Sequence, residues 1–401
     1  MRTIQAVFNL ANYMIGAGIL GLPWAFAKAG LLGGILLFVA CAALSVFSMF
    51  CLINAAEHHH SYQYEELIVK WKGHMMRRAV SIIIVLDTIG TLGAYIRIIS
   101  DAIVAVRPKD WSISDGSLTL IACAVFLIPP CFVRNLSKLS WASFLSLLPT
   151  LFLMGLLVFR LVDSASPAIV LVSDQAWLAP PIMVFALYCH LAILPLYRSF
   201  YPTPVPEADP DAIELGPVPP SAAEVATAKQ DIRTVLFSTT AVVSIVYLFA
   251  GIAGNLLFGA AANSNLLFNF TQPLQLYPLV ITNAFAILIG FPIVLFTCRL
   301  SLHRLFSAED GSYRVFILEN VLIVCCAFVI GFFSSRLTDI LGLTGSLFQT
   351  LLAFFLPCIL YLGLVPAANR AGWQTASAYG VMVLAAIVGP LCFIVTLLSL
   401  I

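Results

Sequence analysis

The residues whose types and spacing promise chemistry lie near the start of the chain. They form the stretch Phe8-Asn9-Leu10-Ala11-Asn12-Tyr13-Met14-Ile15-Gly16-Ala17-Gly18-Ile19-Leu20-Gly21-Leu22-Pro23. It is apolar enough to cross a bilayer, yet it holds two Asn, three Gly and a Pro. Gly adds backbone freedom and Pro removes a backbone donor. In hydrocarbon every freed backbone group needs a partner inside the protein, so the spacing predicts a broken helix whose break is buried or faces a polar cavity. Backbone N–H groups around Gly16, Ala17 and Gly18 would open the second half-helix with partial positive charge and bind an anion such as a carboxylate. Carbonyls freed before the break would meet a cation or an ammonium group. The competing reading is close helix packing through small residues. It accounts for the glycines but not for Asn9, Asn12 and Pro23 in the same span.

A few other polar side chains interrupt apolar runs. Asp87 lies ten residues past Arg77, about 15 Å along a helix and close to mid-membrane. An unpaired carboxylate there would be protonated or cation-bound, which makes Asp87 the leading ion-coupling candidate. A buried acid hydrogen-bonded to a neighbouring helix is the alternative. His190, mid-span in the sixth apolar run, is read as a substrate contact or as a neutral residue holding a helix break, ahead of proton transfer. Tyr95 shares a helix with Asp87, and Thr282 and Asn283 sit in the outer half of the eighth run; these are candidate lining residues. Arg97 and Asp101, spaced i, i+4, read as a local pair. His58-His59-His60 do not share one helix face and make a poor metal site. Asn269-Phe270-Thr271 is a glycosylation sequon in an external loop. There is no Walker A loop, H-E-x-x-H or G-x-S-x-G, so an enzyme fits poorly, and no cofactor is implied beyond a coupling ion.

The elements that must position these residues are membrane helices. Of 401 residues, 61% are hydrophobic and only 10% charged, with mean hydropathy +1.02. Soluble domains average about 25% charged residues, so this is an all-α polytopic membrane protein with the lipid bilayer as its surroundings. The net charge of +1 gives no reason to expect a nucleic-acid partner. The ten cysteines fall in or beside apolar runs, where packing is their role and a disulfide framework is not expected. The first apolar run lacks a cleavage signal and is not a signal peptide.

At about 20 apolar residues per crossing, eleven transmembrane helices are expected: 4–27, 31–55, 77–106, 117–134, 141–162, 177–200, 234–258, 276–301, 315–333, 345–365 and 377–400. With the N-terminus cytosolic, fourteen of the twenty Lys and Arg fall on the inside, the bias that sets orientation. Residues 202–233 carry seven Pro and six acidic residues and read as a disordered cytosolic linker. The linker divides one transporter domain, 1–401, into two comparable halves. These form a 5+5 inverted repeat, with repeat one at 4–162, repeat two at 177–365 and one extra helix at 377–400. Helix six then matches helix one, and it too carries a Pro and a polar residue, Pro195 and His190. Interrupted helices at matching places in two halves point to a binding site at mid-membrane depth.

Several of these stretches resemble the amino acid/auxin permease family, which includes sodium-coupled neutral and vacuolar amino acid transporters. The signature is Asn9 to Asn12 through Gly16-Ala17-Gly18-Ile19-Leu20-Gly21-Leu22-Pro23-Trp24-Ala25-Phe26, with Ala29-Gly30 beyond. Supporting stretches are Gly90, Tyr95 and Asp101, Cys189-His190 with Leu194-Pro195-Leu196-Tyr197, Phe291-Pro292 with Arg299, and Leu341 to Ser346. The resemblance covers essentially the whole chain. It implies substrate bound between broken helices one and six, with helices three and eight alongside. It implies a cation site using Asn12 and a hydroxyl on helix eight. This chain departs there: Leu288-Ile289-Gly290-Phe291-Pro292 has no hydroxyl just before its Pro. Helix one also begins almost at Met1, where many relatives carry a longer tail.

The expectation is a secondary transporter for amino acids, with neutral side chains favoured and H+ or Na+ as the coupling ion. Gly16, Ala17 and Gly18 would hold the carboxylate. Tyr13, Met14, Ile15, Tyr95, Tyr188, His190 and Asn283 would line the substrate site, and Asn12 and Asp87 would couple the ion. The alternative is a membrane nutrient sensor that binds an amino acid and signals to cytosolic partners. A channel is disfavoured because no helix carries a full-length polar stripe. A monomer is expected, in the plasma membrane or a vacuolar or lysosomal membrane.

Overall fold

The structure, a computed structural model, describes residues 2–108, 113–132, 147–163, 169–200, 222–306 and 313–400. The described residues form helices and connecting segments with no strand. In chain order the main helices are α1 (Arg2–Met14), α2 (Gly18–Ala29), α3 (Leu31–His59), α4 (Tyr64–Val106), α5 (Asp115–Cys131), α6 (Leu148–Asp163), α7 (Ala179–Leu187), α8 (His190–Arg198), α9 (Ala222–Phe258), α10 (Pro273–Phe306), α11 (Tyr313–Phe333), α12 (Leu337–Leu364) and α13 (Gly372–Leu398). With α7 and α8 taken as one span, eight segments among the described residues are long and apolar enough to cross a membrane. The bent pair α1 and α2 makes a ninth, and α5 and α6 are shorter apolar helices. The chain is an integral, multi-pass membrane protein.

The bundle is built around α1, α2 and α4. α9 packs along both halves of the first span, α7 lies on α2, and α4 lies between α10 and α11, while α12 bridges α3 and α13. Small residues set these approaches. A Cβ on Gly18 would stand 2.7 Å from the Ala186 Cα on α7, and one on Gly345 would stand 2.0 Å from the Pro181 carbonyl oxygen. Between α2 and α3, Gly30 turns the chain with φ +79°, a conformation that side chains resist. The amides that open α3 are satisfied by the segment after α6: Leu31 N–H donates to Val170 O at 2.8 Å and Leu32 N–H to Leu171 O at 2.9 Å. Four orphan amides begin every helix, and a buried start needs partners of this kind.

Two sequence boundaries are corrected. Helix three, expected from 77, agrees to within a few residues: Gly73, at φ 78°, ψ −171°, is non-helical and separates it from a short helical segment that begins at Tyr64. Helix ten starts at Leu337 rather than 345, because the Asp339 carboxylate accepts from the Arg336 backbone N–H at 3.1 Å and caps an earlier first turn. The linker does not extend to 233, because the chain is helical from Ala222. The last proline of the stretch is Pro220, after which nothing bars a helix, and Lys229 is anchored to Glu57 of α3 by an ion pair. Residues 202–221 lie outside the described residues.

The approach of α12 to α7 at Gly345 leaves no room for a methyl group. Gly345→Ala should therefore lower stability by about 2 kcal/mol or more, seen as a lower melting temperature of the detergent-purified protein.

Candidate functional site

The first span breaks between Met14 and Gly18, and its two halves meet at 61°. The last amide bonded into α1 is Ile15, whose N–H donates to Ala11 O at 2.8 Å. α2 then opens at Gly18 with no side-chain cap on its first amides. Gly16 at the break faces Tyr95 of α4: a Cβ there would stand 3.0 Å from the Tyr95 hydroxyl. Pro23 lies inside α2, one turn beyond the break, and packs against Gly254 of α9. The carbonyl end of the break is held by a residue that sequence reasoning missed. Tyr247 of α9 is fully buried and donates from its hydroxyl to Met14 O at 2.6 Å.

The second break falls between α7 and α8, at Tyr188 (φ −77°, ψ 118°) and Cys189 (φ −145°, ψ 12°). Pro195, one of the residues read as the interruption, lies inside α8. His190 begins α8 and is fully buried. Its Nε2 lies 2.8 Å from Ser48 Oγ, and the Ser48 hydroxyl donates to Ser45 O at 3.0 Å. The ring stacks on Tyr188 at 5.7 Å. His190 thus ties the start of α8 to α3.

A cavity of about 1070 Å³ lies between the two breaks. Asn12, Tyr13, Met14, Ile15, Gly16, Ala17 and Gly18 line it from the first span, Asp87 and Tyr95 from α4, Tyr188 from the second break and Asn283 from α10. His190 and Thr282 are not in that lining. The cavity continues past Tyr62, Gln63, Glu65, Arg198 and Arg304, at the end of the bundle that the basic residues mark as cytosolic. At the opposite end Arg97 pairs with Asp101 at 2.5 Å and donates to Ser334 O at 2.7 Å. Asn265 donates to the second Asp101 oxygen at 2.8 Å. The expected local pair is therefore the centre of a polar layer joining α4 to the loops before α10 and α12.

The chemistry on the cavity wall is divided. The start of α2 offers partly positive backbone amides, which suit a carboxylate. Asp87 is buried, with the side chain of Gln349 placed beside it. Gln349 belongs to a stretch of α12 with wide turns, Thr344–Gln349, of the kind that recurs at functional sites. Asn283 lines the cavity while donating to Leu279 O at 2.8 Å. Hydroxyls reach the cavity from Thr88 and Thr91 of α4 and from Thr297 of α10. Thr297 lies beyond Pro292 rather than just before it. A lone Gln in an apolar span was the signal for Gln349; nothing in the sequence singled out Tyr247.

Comparison with known proteins bears on what this cavity serves. Residues 1–204 and 220–401 match the family described as transmembrane amino acid transporter protein. The chain belongs to that family. The sodium-coupled neutral amino acid symporter 2 of Danio rerio is 26% identical over 417 residues, covering 93% of this chain and 78% of the relative. Among solved structures, a manganese transporter of Eremococcus coleocola, in complex with an aromatic bis-isothiourea substituted compound, superposes with a TM-score of 0.64. It is 10% identical, with 98% of this chain and 86% of that chain covered. A mutant of that transporter gives a TM-score of 0.60 over 96% of this chain and 85% of that chain. At such identity the likeness speaks for the fold alone. Among the described residues, no group of three or more His, Cys, Asp or Glu is placed to hold a metal ion.

The Tyr247 hydroxyl is the partner of the carbonyl at the end of α1. Tyr247→Phe leaves Met14 O without it, at a cost of about 1–3 kcal/mol. The variant should melt at a lower temperature with unchanged helix content by circular dichroism.

Proposed function

We propose that this member of the family is a secondary active transporter that moves amino acids across a membrane by alternating access. The observation that carries the reading is the juxtaposition of two helix breaks on one cavity. At the first, the uncapped start of α2 suits the substrate carboxylate. At the second, α7 ends on the cavity at Phe185 and Tyr188, and its partly negative end suits the α-ammonium group, while the Met14 carbonyl is already taken by Tyr247. Discontinuous helices use their partial charges in this way in many transporters. Tyr13, Met14, Ile15, Tyr95, Tyr188 and Asn283 shape the side-chain pocket, and its largely apolar and aromatic surface favours neutral amino acids.

Eleven spans are proposed, the nine long segments with α5 and α6 added, arranged as a 5+5 inverted repeat with α13 extra. The two breaks occupy the equivalent first helices of the two repeats. The cavity reaches the basic end of the bundle while the Arg97–Asp101–Asn265 layer covers the other. This supports an inward-facing state, from which rocking of the broken-helix bundle would expose the site to the opposite side. Asn12 and Asp87 are proposed to couple transport to H+ or Na+. The relative from Danio rerio is named as sodium-coupled, which speaks for Na+. The lack of a hydroxyl just before Pro292 speaks for H+.

Reconstituted protein in liposomes, supplied separately with tritiated L-alanine, L-glutamine and L-leucine, should accumulate at least one of them under an imposed sodium or pH gradient. No protein-dependent flux of any amino acid under either gradient would overturn the proposal. Gly16→Val, which places bulk against Tyr95 and the open amides, should abolish the flux, measured beside wild type in the same liposomes.

A further inference from the structure

Among the described residues, three buried side-chain atoms on the wall of the main cavity have no hydrogen-bond partner: Asp87 Oδ1, Tyr188 Oη and Gln349 Oε1. They come from three elements, α4, the second break and α12. The parent residues are 1%, 7% and 2% exposed. All three atoms are oxygens, and one belongs to a carboxyl group. Buried oxygens are rarely left unpaired, and a gathering of them on one cavity wall points to a ligand that accepts lone pairs.

The surroundings decide its charge. Tyr13 of α1 and Tyr188 face Asp87. Cys298 of α10 lies beside it, with Cys326 of α11 beyond, and Gln349 reaches it from α12. None of these groups is a cation. Arg97, ten residues further along α4, is committed to Asp101 and Ser334. Among the described residues no ion pair to Asp87 is formed. A buried charge is stable only when it is compensated, so the missing positive charge must come from outside the chain. One carboxylate is too few for a divalent ion, which calls for several anionic ligands.

We propose that Asp87, Gln349 and Tyr188 form a monovalent-cation site, taking a proton or a sodium ion, and that the ion driving transport binds there. The site is distinct from the amides of Gly16 to Gly18. Tyr95 is the α4 residue at Gly16, and Asp87 precedes it by eight residues, about 12 Å or two turns towards the basic end. Gln349 sets the selectivity of the site by orienting the carboxyl with its amide group while its own oxygen faces the ion. This inference rests on the transport reading above and adds to it where the ion sits and which residues hold it.

The test is ion-dependent uptake by full-length protein in liposomes, using whichever of tritiated L-alanine, L-glutamine and L-leucine gives the highest wild-type flux. A sodium gradient at equal pH and a pH gradient without sodium separate the two cations. Asp87→Asn should lose accumulation under both gradients while still exchanging labelled for unlabelled amino acid. Gln349→Leu should raise the half-saturating concentration of the driving ion about tenfold, the loss expected for a hydrogen bond to a charged group. Its KM for the amino acid at saturating ion should stay within about twofold of wild type, a difference too small to be a lost contact. If Asp87→Asn does not fold, Tyr188→Phe carries the test and should shift the same ion dependence. Wild-type flux with unaltered ion dependence in the folded variants overturns this site and leaves the transport reading standing. So does a Gln349→Leu defect confined to the amino acid KM, or wild-type flux that neither gradient drives. An absence of wild-type flux overturns both.

Discussion

The structure depends on one constraint: hydrocarbon offers no hydrogen bonds, so a helix broken inside a membrane must have its freed groups met by protein or by ligand. The first span ends at Met14 and restarts at Gly18 after turning through 61°. Tyr247 meets its carbonyl side at Met14 O and also takes a backbone hydrogen bond from Gly16, while the start of α2 at Gly18, without a side-chain cap, lines a cavity. Under the proposed function, the uncapped start of α2 is where a negatively charged group would be received.

The second break repeats the arrangement with different parts. Two non-helical residues, Tyr188 and Cys189, separate α7 from α8, and His190 secures the restart through its hydrogen bond with Ser48. Around these hinges the bundle is tight where halves must not separate, as at Gly18 on Ala186 and Gly345 on Pro181. It is open where a ligand must pass, along the cavity from Gly16 to Arg304. At the other end a half-buried ion pair, Arg97 with Asp101, ties three segments together and gives them a defined geometry.

Much of this was legible in the sequence because the bilayer imposes strong rules. Apolar runs, basic loops and a Gly- and Asn-rich interruption gave the membrane class, the approximate helices and the first break. The residues Asn12 to Gly18, Asp87, Tyr95, Tyr188 and Asn283 were named from their types, and the structure brings them onto one cavity. What was not legible depends on direction. His190 was named for its polarity, but its ring turns to α3 and away from the cavity. Pro195 looked like the second break, yet a proline removes one donor without ending a helix already under way, and the chain instead opens seven residues earlier, at Tyr188. Tyr247 sits in an apolar run with ordinary periodicity, so only folding shows that it meets a freed carbonyl; Gln349 stands out as a lone Gln in an apolar span, but only folding shows that it lies beside a buried acid.

The central claim is that the open amides of α2 receive a carboxylate. It is tested most directly by ligand-dependent thermal stabilisation of the purified protein. L-Alanine, L-glutamine and L-leucine are compared there with ethylamine, 4-aminobutanamide and isopentylamine, which keep the side chain and the amine but lack the carboxylate. Saturable stabilisation by at least one of the amino acids and none by its amine is the expected result. Equal stabilisation by an amino acid and its amine would contradict the account, as would stabilisation by none of the amino acids.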